Sequence, residues 1–313
     1  MQPGAYELDG ITEALAWGCN DQTNTCLRTH SELASLQNKI GNHSANFITM
    51  AEPVIFPPTT GSQPTHTVIF LHGRGDTAPH FAESLRYSTT SQGRNLGEAL
   101  PSFRWVFPRA ALEKSVSPGF RHLNATSQWF DIWSVRDFSD REELQAAGLS
   151  ISVSQIRDLI HHEAGLLGGR YDRVVLMGIS QGAATAVHTL INLDLAPGVG
   201  LAAFVGFSCR MPFPGRSLAD TRAVLTLPHR HDHRIPDHAT VLEKTPMLLE
   251  HCANDPLVLV ANGRVLRDTL RGFGAQVEWK EYPNGGHWFH SPDGMDDVVA
   301  FLETALAKGE HPN

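Results

Sequence analysis

The stretch DRVVLMGISQGAATAVHTLINL, residues 172–193, decides the fold. Asp172 to Met177 is rich in Val, Leu and Met and reads as a buried strand. Ala183 to Leu193 opens with small residues and reads as a helix. Between them, Gly178-Ile179-Ser180-Gln181-Gly182 matches G-x-S-x-G, which sets a serine on a sharp strand-to-helix turn. Gly178 and Gly182 have no Cβ, so neighbouring backbone can pass close to that turn. A bare G-x-S-x-G also arises by chance as a glycine-rich turn. The strand before it and the helix after it favour a nucleophile.

Outward from this unit the pattern repeats. Strands are expected at Thr67–Leu71, Arg104–Phe107, Ala202–Phe207, Met247–His251 and Val277–Tyr282. Helical patterns lie within 81–100, 149–167, 258–273 and 295–306. Short apolar strands alternating with amphipathic helices predict an α/β fold, a mostly parallel sheet with helices on both faces. Residues 1–49 are polar with weak periodicity, and are expected to be a poorly ordered extension. Residues 50–313 are then one catalytic domain.

A serine needs a base, and the base an orienting carboxylate. Sought downstream in the order Ser, Asp, His, the base is His287, in the glycine-flanked Tyr282-Pro-Asn-Gly-Gly-His287 after the last strand. The chain has 17 histidines, and His287 is preferred on position alone. His290 is the reserve, and His188 reads as a satisfied or exposed helix residue. Asp255 follows the strand Met247–His251 and is the expected acid, its plainer role being to cap a helix opened by Pro256. Asp220, Asp232 and Asp237 are rivals in a segment without strand signal. The oxyanion hole is expected from the amides of Gln181 and of Arg74, in the loop His72-Gly-Arg-Gly-Asp76.

Composition narrows the remaining classes. Net charge is −8 without a basic cluster, against nucleic acid and electrostatic membrane docking. No apolar run is long enough for stable membrane insertion, and no secretory signal is evident. Four scattered cysteines make no disulfide scaffold, and a cytoplasmic setting is the simpler reading.

These residues carry a resemblance. The stretches TVIFLHGRGDTA (67–78), QWFDI (128–132), GISQGAATA (178–186), GFSCRMP (206–212), TPMLLEHCANDPLV (245–258) and YPNGGHWF (282–289) resemble the acyl-protein thioesterase and lysophospholipase branch of the phospholipase/carboxylesterase family. The resemblance implies an α/β-hydrolase fold without a large cap, a triad of Ser180, Asp255 and His287, and oxyanion amides at Arg74 and Gln181. It implies acyl thioesters on proteins, lysophospholipids or simple esters as substrates, and neither metal nor organic cofactor. Trp129, Trp288 and Phe289 are candidates to line an acyl groove, whereas Phe130 is preferred as core. The family usually has an apolar residue where this chain has Arg74, whose side chain is expected to point to water. The alternating histidines at 229–233 lack preformed geometry for a metal. The alternatives are a small-ester carboxylesterase and a catalytically silent binding module on the same fold.

Overall fold

The computed structural model describes residues 51–61, 63–117, 125–227 and 240–309, all within the unit Thr49–Asn313. The expected extension 1–49, the histidine tract and the rivals Asp232 and Asp237 lie outside the described residues. The sheet strands are β1 (Val54–Phe56), β2 (His66–Leu71), β3 (Phe103–Phe107), β6 (Val174–Ile179), β7 (Ala203–Phe207), β8 (Met247–Cys252) and β9 (Val277–Tyr282). They lie in the order β1-β3-β2-β6-β7-β8-β9. All neighbours are parallel except β1 and β3. A separate antiparallel pair joins β4 (Ala111–Glu113) to β5 (Thr126–Gln128).

The helices are α1 (Ala78–Ser84), α2 (Leu96–Ala99), α3 (Gln145–Leu166), α4 (Gln181–Ile191), α5 (Leu218–Ala223), α6 (Thr240–Lys244), α7 (Val260–Gly272) and α8 (Asp293–Gly309). Strand side chains alternate between the two faces of the sheet. Val174, Leu176, Phe204 and Leu249 pack with Ile156 and Ile160 of α3 and Val187 of α4. Val175, Met177, Val205 and Leu248 pack on the other face with Phe70, Phe289, and Val298 and Leu302 of α8. β6, β7 and β8 are therefore buried along their whole length, which explains their unbroken apolar sequences. Each such side chain contributes on the order of 1.5–3 kcal/mol by burial.

Three local details differ from expectation. Asp172 is not in a strand: Tyr171–Arg173 forms a 3-10 turn, and the carboxylate pairs with Arg170 (2.7 Å). Segment 81–100 divides into α1, a 3-10 turn and α2, the last held by a capping box of Asn95 and Glu98. Val54–Phe56, where no strand is expected, forms the edge strand β1. Among the described residues no helix is long and apolar enough to cross a membrane.

Because β2, β6, β7, β8 and β9 run parallel, their C-terminal ends share one edge of the sheet, where open α/β sheets place ligands. Arg74, Ser180, Arg210, Asp255 and His287 all follow those ends.

Candidate active site

Ser180 joins β6 to α4 with φ 55° and ψ −122°. That conformation is rare for a residue with a Cβ and costs of order 1–3 kcal/mol. It persists because the surrounding backbone is packed too closely to relax. Ser180 N donates to Phe207 O (2.9 Å). A Cβ on Gly178 would meet Ala183 N at 2.6 Å, and one on Gly182 would meet Leu71 O at 2.5 Å. Gly182→Ala therefore drives α4 away from β2, because backbone, not a movable side chain, blocks it. The expected result is a loss of about 1–3 kcal/mol, the usual range for overpacking. Activity should fall with it. Denaturant unfolding checks this, and wild-type stability would refute the close-packing account.

The helix N-terminus is tied to two other segments. Gln181 Oε1 accepts from Trp129 N (2.9 Å), and Gln181 Nε2 donates to Phe130 O (2.7 Å). Trp129 Nε1 donates to His72 O (2.8 Å), and Gly75 N donates to Ser127 O (2.8 Å). A Cβ on Gly73 would lie 3.6 Å from Ser180 Cβ, so the loop after β2 passes directly beside the serine. The structure thus brings the backbone of Arg74 and Gln181 to the serine, and the positive end of α4 faces the same place. The Gln181 side chain's part in this clamp is a contribution that the motif alone does not show.

Asp255 is buried after β8. His287 Nδ1 lies 2.7 Å from Asp255 Oδ2. Asp255 Oδ1 accepts from Leu257 N (2.8 Å) and Val258 N (3.0 Å). His251 Nε2 lies 3.4 Å from Asp255 Oδ2 and 2.7 Å from Val258 O. Burial pushes the Asp255 carboxyl up. The hydrogen bonds from His251, His287 and Val258 outweigh it and hold the group well below the usual carboxylate range. Neither Asp255 nor Pro256 starts a helix: the carboxylate captures the amides of Leu257 and Val258, and α7 begins only at Val260. The loops carrying the pair are joined by Ala253 N to Tyr282 O (2.7 Å) and Gly286 N to Asn254 Oδ1 (2.9 Å). Gly285 and Gly286 have φ of 125° and 69°, which lets the chain turn before His287.

A cavity of about 300 Å³ is lined by Ser180, His287, Gly73, Arg74, Gln181 and Arg210. Its apolar wall includes Phe130, Ile132, Phe138, Leu257 and Trp288. Phe130, preferred as core, is fully buried and also forms this wall. Trp129 and Phe289 do not line it. Trp129 is buried as a strut under the loop that follows β2, and Phe289 packs edge-on against Phe207 (4.6 Å) in the core. The Arg74 side chain does not point to water. It is half-buried in the cavity wall, with Nε donating to Gln128 Oε1 (2.9 Å). Burial lowers its pKa and the charge of Asp131 partly offsets that.

The two other histidines weighed as the base, His188 and His290, both lie away from the cavity. His188, on α4, is buried, its Nε2 lies 3.2 Å from Pro212 O, and its pKa is lowered by burial to about 4. His290 stacks on Tyr282 at 4.3 Å, away from the cavity. Asp220 sits on α5 and accepts from the Ser217 hydroxyl (2.6 Å). Among the described residues no group of three His, Cys, Asp or Glu side chains could hold a metal.

Glu250, on β8, is a buried acid outside this hydrogen-bonded set. Burial, then the nearby Asp297, raises its pKa well above the ordinary value. Tyr282 gives its hydroxyl to Asp297 (2.8 Å). A carboxyl with a raised folded pKa stabilises the fold at low pH. That benefit is lost as pH rises from about 4.3, the unfolded value, toward the folded one. Glu250→Gln should therefore raise the melting temperature at pH 7, the gain shrinking to nothing near pH 4. Thermal scans across that range check it, and a lower Tm for the variant at pH 7 would contradict the raised pKa of Glu250.

A model of the family described as phospholipase/carboxylesterase matches residues 52–306. Acyl-protein thioesterase 1 of Gibberella zeae is 30% identical over 260 residues, spanning 81% of this chain and 95% of the relative. Acyl-protein thioesterase 1 of Mycosarcoma maydis is 28% identical over 271 residues, spanning 83% and 99%. The crystal structure of Zea mays acyl-protein thioesterase 2 superposes with a TM-score of 0.60 at 24% identity, over 82% of this chain and 99% of that one. The Bacillus cereus carboxylesterase gives 0.53 at 15% identity, over 87% and 98%. These two likenesses speak for the fold.

Proposed function

As a member of the phospholipase/carboxylesterase family of α/β hydrolases, the chain hydrolyses acyl esters and thioesters, and we propose that it does so through Ser180, His287 and Asp255. The observation that carries the reading is the His287–Asp255 pair at 2.7 Å, opening on the cavity that holds the strained Ser180. Ser180 Oγ attacks the acyl carbonyl carbon while His287 Nε2 takes its proton. Asp255 fixes the imidazole tautomer and stabilises the imidazolium. The amides of Arg74 and Gln181 receive the developing oxyanion. His287 then protonates the departing thiolate or alkoxide. Water, deprotonated by His287, attacks the acyl-serine and releases the acid.

The thioesterase names of the relatives support an S-acylated protein or peptide as substrate. A small-ester carboxylesterase is the second reading. The cavity supports it, since about 300 Å³ is the low end of ligand pockets and suits short or medium acyl groups. A cytoplasmic setting and a single catalytic domain from residue 50 belong to the same proposal. The test is turnover of S-acyl-cysteine peptides and matching oxygen esters over a chain-length series. Failure of purified protein to hydrolyse any member would sink the proposed triad.

A further inference from the structure

The wall of the cavity contains a charge that the hydrolysis of an ester does not need. Arg210 follows β7 and is 8% exposed. Its Nη2 donates to Gln145 Oε1 (2.8 Å), and its guanidinium lies 4.1 Å from the Phe138 ring centroid and 5.9 Å from that of Phe130. Rings and an amide soften the burial of a cation, but none of them neutralises it. Among the described residues no carboxylate lies within ion-pair distance of Arg210; the charge of Glu142 acts on it from further away, but that carboxylate pairs with Arg216 (3.7 Å), and Gln145 is the one side-chain hydrogen-bond acceptor Arg210 reaches. Burial lowers its pKa to about 10, so it remains charged at neutral pH.

The other charges around the cavity are already engaged. Arg74 is bonded to Gln128 and faces Asp131. The Asp76 carboxylate takes Thr77 N (2.7 Å) and lies 2.7 Å from His80 Nδ1. The sheet order places β6 between β2 and β7, so Arg74 and Arg210 flank Ser180 from opposite sides. An arginine fork matches a carboxylate in shape and charge. The apolar wall beside it suits methylenes.

We propose that Arg210 binds a carboxylate on the substrate's acyl group, making the preferred substrates half-esters or half-thioesters of dicarboxylic acids. The anion is placed on the acyl side for a physical reason. The acyl group stays in the cavity as the acyl-serine while the leaving group departs to solvent. A protein or other large leaving group cannot enter a cavity of about 300 Å³. This inference rests on the proposed triad and narrows the substrate within it.

The experiment compares three 4-nitrophenyl or aryl esters on the full chain. These are the hexanoate, the adipic acid monoester, and the hexanoate ester of 4-hydroxybenzoate, whose carboxylate leaves with the alcohol. Wild type should favour the adipate over the plain hexanoate by roughly tenfold or more in kcat/KM, the scale of one charge-assisted hydrogen bond. Arg210→Met should collapse that ratio, and Arg210→Lys should restore part of it. A purely structural role for Arg210 would lower both esters together and leave the ratio standing. Equal turnover of adipate and hexanoate by wild type overturns the inference while leaving the triad intact, and needs no variant to fold. Preference for the hydroxybenzoate ester alone overturns the acyl-side assignment. If none of the three is hydrolysed, the proposed triad fails and this inference with it.

Discussion

Ser180→Ala should lower kcat by about 10⁶ and abolish covalent labelling by a fluorophosphonate. The size of the effect follows from the chemistry. Without Oγ there is no acyl-enzyme, and the oxyanion amides alone can only assist attack by water. The fold should survive, because alanine keeps the Cβ that already tolerates φ 55° in the wild type. Circular dichroism and Tm would report that survival, and mass spectrometry of the labelled protein would locate the modified residue. Label persisting on another serine in the variant would remove Ser180 from the mechanism.

Asp255→Asn should lower kcat by roughly 10⁴ with the backbone almost unmoved. Asp255 presents acceptors on all sides: His287 and His251 at Oδ2, two amides at Oδ1. An asparagine must turn its amide nitrogen to one set or the other. Facing His287, it forces Nδ1 to accept and puts the imidazole proton on Nε2, where the serine proton has to go. Facing the backbone, it opposes two N–H donors and loosens the turn 255–258. Both routes damage catalysis. Asp220→Asn serves as the control, since Asp220 only accepts from the hydroxyl of Ser217, the N-cap of α5. A near-wild-type Asp255→Asn would show that the orienting acid lies elsewhere.

Much of this site can be read from the chain, and the reasons are physical. The elbow is legible because a strained serine requires small neighbours at fixed offsets, and Gly178 and Gly182 supply them. Asp255 and His287 are legible because crossovers in a parallel sheet return every loop to the same edge. What escaped reading depends on contacts between distant residues. Arg210 becomes a buried charge only because Gln145 and Phe138, about 65 to 72 residues earlier, fold over it. His251 reaches Asp255 through a turn whose shape is set by hydrogen bonds, not by a helix. Pro256 misleads as a helix start because the neighbouring carboxylate competes for the amides a helix would need. β1 is three residues long and pairs antiparallel at the sheet edge, too short to show periodicity.

The sheet order also divides inheritance between chemistry and taste. β7 lies between β6 and β8, so the loop after it sits between the proposed nucleophile and the proposed acid while supplying neither. Substitutions at Arg210 and its neighbours can therefore change which acyl group is accepted without altering a single proton-transfer distance. A gene copy could drift to a new substrate along that loop in small steps, each one still an active hydrolase. The edge strand β9 offers no such freedom, because its loop carries the proposed base, His287.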